Sequence, residues 1–189
     1  MHPDFDPPSI GSIAGRTSSI TAAFFQAITP SVPPSDQEVD EVLAILGMAR
    51  GDCRCAYCGD ARTEWDHFRA IVIDRRPTGY ISEIANLVPA CGKCNQSKGN
   101  SDWKAWMLGM AARSPKQRGV ADLELRVERL DAFASWRTPT RIDYEQWLGE
   151  ARWRAYLEQL DAAVAQLNGA QVMAKALRTE IDQRLRIKL

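Results

Sequence analysis

Histidine is scarce in this sequence, which has 189 residues and two histidines, His2 and His67. The sequence contains no apolar run of the roughly 18 residues that span a membrane. It also does not open with a charged segment followed by an apolar stretch. From these absences we expect a cytoplasmic protein with no signal peptide and no membrane partner.

An excess of either charge is missing too, because 24 Lys+Arg balance 24 Asp+Glu. A balanced total gives no support for binding to nucleic acid. The local distribution is uneven, since Lys93 to Arg118 contain six cationic side chains and one acidic side chain. Such a run is typical either of a solvated face or of a surface that contacts phosphates, and both interpretations stay open.

Composition and turn residues divide the chain into three parts. Residues 1–35, rich in Pro, Ser and Gly, predict an N-terminal arm with one short helix near Ile20–Ile28. Residues 36–104 predict a helix followed by a small core that holds all five cysteines. Residues 105–189 predict a helical region.

Local patterns predict the elements of the middle part. Ser35 and Glu38 have the spacing of a capping box, which predicts a helix over residues 36–49. Residues 65–73 predict a strand, residues 75–79 its turn and residues 80–84 the return strand. A short helix is expected near Cys91.

The C-terminal part carries apolar residues at heptad spacing: Trp153, Leu157, Leu160, Val164 and Leu167. Gly169 is a candidate interruption, after which Leu177, Ile181 and Leu185 continue. The pattern is compatible with a helix that faces its own core and with a two-stranded contact between protomers. We expect Trp103, Trp106, Trp147 and Trp153 to lie in the core rather than to stack on bases.

The cysteines form two C-x-x-C pairs, Cys55 with Cys58 and Cys91 with Cys94, and Cys53 is left over. In a reducing compartment such pairs indicate metal more often than disulfides. Four thiolates saturate a tetrahedral Zn²⁺, so we predict a structural zinc site with Cys53 as a spare thiol.

Polar side chains of another kind lie between and just after these pairs. They are Asp66, His67, Asn86 and Asn95. A single histidine is usually a buried structural residue. Here the histidine directly follows an aspartate within a zinc-stabilised unit, which favours a role in chemistry.

Order and spacing of these residues resemble the HNH endonucleases, the ββα-metal nucleases. The matching segments are Cys55–Gly59, Trp65–His67, Asn86–Cys91 and Cys94–Gly99, and the resemblance covers roughly residues 51–104. It implies an α+β fold with a ββα core, a four-cysteine zinc site and helical flanks.

The resemblance also implies roles for individual residues. His67 corresponds to the general base that activates water, and Asp66 to a ligand of the catalytic metal. Asn86 corresponds to the residue that ties down the loop and aims the histidine. Asn95 corresponds to the second metal ligand, and Lys98 to a lysine with a phosphate contact or a helix-end role.

Two positions depart from the family pattern. Ala70 stands where proline is frequent, and residues 75–79 replace the usual glycine pair. The loop between His67 and Asn86 is therefore expected to be specialised.

Phosphodiester hydrolysis suits these residue types. A neutral imidazole can take a proton from water near pH 7. A carboxylate and an amide oxygen favour Mg²⁺ or Mn²⁺ over zinc for the catalytic site. Double-stranded DNA is the expected substrate, with candidate contacts at Arg75, Arg76, Lys93, Lys98, Arg137 and Arg141.

We expect a sequence-specific, homodimeric type II restriction enzyme. One HNH centre cuts one strand, so a double-strand cut requires two centres. The alternatives are a nicking, homing or phage-associated HNH nuclease, and a zinc-stabilised DNA-binding module without catalysis.

Overall fold

The computed structural model describes residues 8–188 and has an α+β architecture; His2 lies outside the described residues. Its helices are α1 (Thr17–Ile28), α2 (Asp36–Ile45), α3 (Gly92–Lys98), α4 (Trp103–Leu108), α5 (Leu123–Trp136), α6 (Tyr144–Leu148) and α7 (Glu150–Lys188). Its strands are β1 (Glu64–His67), β2 (Val72–Ile73), β3 (Arg76–Pro77) and β4 (Leu87–Ala90), and short 3-10 helices span Ala14–Arg16 and Ile84–Asn86.

The chain forms two compact units. The first comprises Met1–Phe24 with Leu148–Leu189, and the second comprises Phe25–Trp147. The second unit contains all the cysteines and the Asp-His and Asn motifs. The division into an arm, a nuclease core and a helical region at residues 35 and 104 stays a prediction.

A ββα arrangement lies at the centre of the second unit. Strands β1 and β4 are antiparallel, with Glu64 opposite Ala90 and His67 opposite Leu87, and α3 follows β4 directly. The return strand predicted at residues 80–84 is wrong, because β4 is the partner of β1. Residues 80–84 are held instead by single bridges, from Tyr80 to Arg141 and from Ser82 to Ser31.

A small hairpin, β2 with β3, replaces the predicted long strand and the turn at residues 75–79. Its two central residues are Asp74 and Arg75, with φ of 49° and 60°. Positive φ at both positions defines a type I′ turn, whose twist matches that of the flanking strands. The turn therefore begins one residue earlier than predicted, and Arg76 belongs to a strand.

The capping box at the start of α2 is confirmed. The backbone N–H of Glu38 donates to Ser35 Oγ, and the backbone N–H of Ser35 donates to Glu38 Oε2 at 2.8 Å. This helix ends at Ile45, before the predicted Ala49. Gly47 follows with φ of +67°, a conformation that glycine adopts without strain.

Helices α2, α4 and α5 pack with the ββα unit around one hydrophobic core. Phe68 lies at its centre, with its ring stacked on Trp103 at 5.0 Å and edge-on to Phe133 at 5.1 Å. Trp103, Trp106 and Trp153 are buried, as expected. The same expectation is wrong for Trp147, whose side chain is 66% exposed.

Helix α7 runs without a break through Gly169, so the expected interruption does not occur. In its first half, Trp153, Leu160 and Val164 are buried within the first unit. Gln171 Oε1 accepts hydrogen bonds from the backbone N–H groups of residues 13 and 14 at 2.7 and 3.2 Å. Beyond this residue, apolar side chains are exposed: Val172, Met173, Leu177, Ile181 and Leu185.

Within residues 8–188, no helix combines the length and the apolar character needed to cross a bilayer.

Candidate active site and zinc centre

The two C-x-x-C pairs converge on one point. The sulfur atoms of Cys55, Cys58, Cys91 and Cys94 all lie within 4.8 Å of one another, and those of Cys58 and Cys91 are 3.7 Å apart. Thiolates bound to a tetrahedral zinc at about 2.3 Å are about 3.8 Å apart. The spacing therefore fits a zinc site with four cysteine ligands. Cys53 is not part of the group.

The electrostatics of the cluster favour a bound cation. Hydrogen bonding to Cys58 raises the pKa of the Cys55 thiol to about 12, and hydrogen bonding to Cys55 and Cys58 also raises the pKa of the Cys94 thiol. Hydrogen bonds from Cys55 and Cys94 lower the pKa of Cys58, so one thiolate forms at the expense of its neighbours. A cation that accepts soft ligands, such as Zn²⁺, would allow all four to ionise together.

Two arginines from later in the chain contact the cysteine cluster. Arg118 donates to Cys94 Sγ at 3.4 Å and to Asp60 Oδ2 at 2.7 Å. Arg126 donates to the carbonyl oxygens of Cys55 and residue 56 at 3.2 and 3.4 Å. Arg118 thus supplies positive charge beside the thiolates, and Arg126 ties α5 to the same turn.

Asp66 lies between the cysteine cluster and α3 and is 4% exposed. Its Oδ2 accepts a hydrogen bond from the Tyr57 hydroxyl at 2.6 Å and lies 3.0 Å from Lys98 Nζ. Burial raises the pKa of this carboxyl, although the Lys98 charge and the Tyr57 hydrogen bond oppose the shift. The ammonium of Lys98 therefore stabilises the ionised carboxylate in the protein interior.

Asn95 lies on α3 and faces β1. Its side-chain nitrogen donates to Glu64 Oε2 at 2.8 Å. Glu64 and Asp66 are two residues apart on one strand, so both point to the same face of the sheet. The structure thus brings the side chains of Asp66 and Asn95 to one side of β1, together with Glu64 and Lys98.

His67 has a different environment. Strand alternation directs its side chain to the other face of β1, where its Nε2 lies 2.8 Å from the Ser82 hydroxyl. Its backbone carbonyl accepts a hydrogen bond from Lys98 Nζ at 2.9 Å. Burial, and then the charge of Lys98, lower the pKa of the imidazole. The neutral form of His67 is therefore favoured near pH 7.

Asn86 is fully buried and joins the ends of the loop that separates β1 from β4. Its Oδ1 accepts from the backbone N–H of Arg69 at 2.8 Å, and its Nδ2 donates to the Arg69 carbonyl at 3.1 Å. Its own carbonyl accepts from the backbone N–H of Phe68 at 2.8 Å. These bonds fix the chain immediately after His67.

The six candidate DNA-contacting residues fall into three groups. Arg75, Arg76 and Lys93 are exposed. Arg137 and Arg141 are exposed but have partners in the protein, namely Glu38 for the former and the Thr78 carbonyl for the latter. Lys98 is 1% exposed, so its ammonium would have to leave Asp66 to reach a phosphate.

Three residues around these side chains carry no motif and were missed by sequence reasoning: Tyr57, Glu64 and Ser82. Glu64 lies two residues before Asp66, and strand alternation could have indicated that it shares the face of that carboxylate. Tyr57 lies within the first C-x-x-C pair, where its position alone signals proximity to the zinc site. Nothing in the sequence singles out Ser82, because the loop that carries it has no regular period.

Comparisons with known proteins agree with this geometry. Residues 55–101 match the family model described as HNH endonuclease. The chain is also similar to the CRISPR-associated endonuclease Cas9 of Corynebacterium diphtheriae (strain ATCC 700971 / NCTC 13129 / Biotype gravis), with 32% identity over 167 residues. The aligned region covers 78% of this chain and spans 14% of the length of that relative. No solved structure matches the chain.

The family match begins at Cys55, the first residue of the cysteine cluster, and extends past α3 to residue 101. It therefore contains both C-x-x-C pairs, the Asp-His pair on β1 and both asparagines. Residues 55–101 of this chain are a domain of the HNH endonuclease family.

Proposed function

We propose that the chain is a metal-dependent endonuclease that hydrolyses phosphodiester bonds in double-stranded DNA. The observation that carries the proposal is that, within an HNH domain, the half-buried neutral His67 directly follows Asp66 on β1, while Asn95 of α3 lies on the Asp66 face of that strand. A DNA-binding module alone would need neither feature.

His67 is the proposed general base. In the proposed tautomer Nε2–H donates to the Ser82 hydroxyl oxygen, and Nδ1 is the unprotonated ring nitrogen that takes a proton from the attacking water. The lowered pKa of the imidazole keeps it unprotonated at neutral pH, as a base requires. Asn86 holds the backbone just after His67 and so acts on its orientation.

Asp66 and Asn95 are the residues that would hold a catalytic Mg²⁺ or Mn²⁺. Their donor atoms fit a hard cation, because Asp66 offers a carboxylate and Asn95 has its Nδ2 committed to Glu64, leaving the amide oxygen as donor. When bound, such a cation stabilises charge that develops on the phosphate and the leaving oxygen.

The substrate would be held by exposed cations around the domain. Arg75 and Arg76 lie at the tip of the β2–β3 hairpin and Lys93 in the first turn of α3. Arg137 and Arg141 follow α5. Arginine can read guanine through two hydrogen bonds, whereas phosphate contacts position the duplex.

A finer proposal is that two copies of the chain cut both strands at a specific sequence, as a type II restriction enzyme does. The supporting feature is the exposed apolar row on the second half of α7, Met173, Leu177, Ile181 and Leu185, which a second copy of the helix could cover. Charged residues flank this row, including Arg178, Asp182 and Arg184.

A second candidate is a nuclease module of a CRISPR-associated endonuclease. It is favoured by the similarity to the Corynebacterium Cas9, of whose length the chain spans 14%. In that setting one HNH centre would cut one strand, and the apolar row on α7 would contact another part of a larger protein.

Incubation of supercoiled plasmid with the purified chain and Mg²⁺ tests the main proposal, with EDTA as the control. We expect cutting with Mg²⁺ alone. Linear product with unique ends, sequenced at both strands, would support the dimeric enzyme, and nicked circles would support one cut per chain. DNA binding without cutting under any divalent cation would overturn the nuclease proposal and leave the non-catalytic module.

The dimer has its own test. Replacing Leu177 and Ile181 together with lysine places two like charges in the apolar row. If this row joins two copies, light scattering will show a dimer for the original chain and a monomer for the variant. A monomer for both would exclude the self-paired helix.

A further inference from the structure

Tyr57 occupies a place that joins the two candidate metal sites. It lies between Cys55 and Cys58 in the first cysteine pair, so residues that would bind zinc fix its backbone on both sides. Its side chain is fully buried, and its ring packs edge-on against Trp106 at a centroid distance of 5.2 Å and an angle of 87°. The ring therefore has one defined direction.

The hydroxyl at the end of this ring meets Asp66. It donates a hydrogen bond to Asp66 Oδ2 at 2.6 Å, within the range expected when a hydroxyl donates to a carboxylate. The contact joins the first zinc-binding turn to β1, nine residues further along the chain. A short, buried bond of this kind holds both partners in place because water does not compete for either atom.

The two oxygens of Asp66 are used unequally. Oδ2 accepts the hydrogen bond from the Tyr57 hydroxyl and lies 3.0 Å from Lys98 Nζ. Oδ1 accepts a hydrogen bond from Lys98 Nζ at 3.4 Å. Each oxygen therefore accepts one hydrogen bond and keeps one lone pair. Oδ1 has the longer contact with Lys98 and no bond from Tyr57, so it is the oxygen better placed to bind a further cation.

We propose that Tyr57 is a positioning residue for the catalytic metal: its hydroxyl, held by the zinc-binding turn, sets the rotamer of Asp66 so that Oδ1 is presented to Mg²⁺ or Mn²⁺. The inference rests on the proposed function, in which Asp66 is a metal ligand. It adds that the cysteine turn fixes Tyr57 and that Tyr57 in turn orients Asp66 for the catalytic metal. Partners of metal ligands typically change metal affinity by about 10–100-fold when removed.

The test is the Tyr57→Phe variant of the full chain with zinc bound, which keeps the buried ring and removes one hydroxyl. We expect unchanged zinc content and a Mn²⁺ dissociation constant about 10-fold higher than that of the original chain, measured by calorimetry or electron paramagnetic resonance. The Mg²⁺ concentration for half-maximal cleavage should rise by a similar factor, and the rate at saturating Mg²⁺ should recover to within a few-fold.

Tyr156→Phe is the matched control. The Tyr156 hydroxyl donates to the Phe24 carbonyl at 2.7 Å within the first unit, so this variant also loses one tyrosine hydrogen bond. It should leave Mn²⁺ affinity unchanged. A thermal melt of both variants measures loss of stability separately from loss of metal affinity, and the larger loss of stability is expected for Tyr57→Phe because its bond is buried and its acceptor is charged.

Two results would overturn the role of Tyr57. One is Mn²⁺ affinity in Tyr57→Phe equal to that of the original chain. The other is loss of zinc from the variant, which would assign the hydroxyl to the cysteine turn rather than to Asp66. Failure of the proposed function gives a different result, because the original chain itself would then neither bind Mn²⁺ nor cut DNA.

Discussion

The cysteine cluster and the Asp66–Asn95 face of β1 are both candidate metal sites, but their donor atoms differ in what they already contact. The four sulfur atoms lie within 4.8 Å of one another, so four thiolates would repel one another without a cation. Asp66 and Asn95 each have a partner from the protein, Lys98 and Glu64. All four cysteines can therefore ionise only around a bound cation, whereas the charge of Asp66 is already balanced by the protein.

In our proposal, the cysteine cluster holds a metal that stabilises the fold, and Asp66 and Asn95 hold a metal that takes part in the reaction. Structural zinc binding is coupled to folding, and its loss unfolds small zinc domains. A site of two protein oxygens binds Mg²⁺ weakly and keeps several water molecules. The predictions below test this contrast.

The largest effect is expected from Cys91→Ser. Loss of one thiolate should release zinc and unfold the ββα unit, because apparent zinc-binding free energies in small zinc domains are on the order of 10 kcal/mol. Metal analysis and near-ultraviolet circular dichroism measure both changes. Cys53→Ser is the control and should keep zinc and fold, since Cys53 is outside the cluster. Native melting of a zinc-free Cys91→Ser protein would contradict the structural role.

His67→Ala should lower the cleavage rate by about 10²–10⁴-fold, the usual range for removal of an acid–base catalyst. Zinc content and DNA affinity should not change, because His67 contacts neither the cysteines nor, in our proposal, the DNA backbone. Single-turnover cleavage and fluorescence anisotropy measure the two properties separately. A variant that cuts at nearly the original rate would remove His67 from the role of base.

Glu64→Ala should weaken Mn²⁺ binding by about 10-fold, because Asn95 loses the acceptor that orients its amide. Glu64→Gln offers a neutral oxygen to the same nitrogen and should retain most of the affinity. Calorimetric titration with Mn²⁺ distinguishes orientation from charge. Equal weakening in both variants would show that the negative charge of Glu64 matters rather than its hydrogen bond.

The smallest effect concerns pH. Burial and the charge of Lys98 hold the pKa of His67 below its ordinary value of 6.5, so more than half of the imidazole is neutral at that pH. The base form is lost only as the pH falls through this lower pKa. Cleavage at saturating Mg²⁺ should therefore retain at least half of its plateau rate at pH 6.5. A midpoint at pH 7 or above would contradict this environment.

Residues with specific short-range chemistry were predicted well from the sequence. The capping box at Ser35 and Glu38 and the convergence of the four cysteines are both present, because each depends on side chains at fixed spacing. The position of β4 was predicted wrongly. Residues 80–84 contain Tyr80, Ile81 and Ile84, residue types that are frequent in strands, but their backbone forms single bridges to distant segments that the sequence does not reveal.

The partners of the site residues could not have been predicted in the same way. Tyr57, Glu64 and Ser82 act through tertiary contacts: the sequence indicates which site Tyr57 and Glu64 lie near but not which atoms they bind, and nothing in it singles out Ser82. Lys98 illustrates the reverse case: the family pattern marks the residue, but its burial against Asp66 follows only from the packing of α3 on β1. The sequence alone does not show that this lysine is buried, because its burial depends on the carboxylate that packs against it in the folded chain.

The ion pair of Lys98 with Asp66 has a consequence for the order of folding and metal binding. The Lys98 ammonium neutralises the Asp66 carboxylate as soon as α3 packs on β1. Folding of this region therefore does not depend on the concentration of free Mg²⁺. A chain with a neutral side chain at this position would have to acquire its divalent ion before the acid could be enclosed. In the proposed nuclease, folding can therefore precede binding of the catalytic cation.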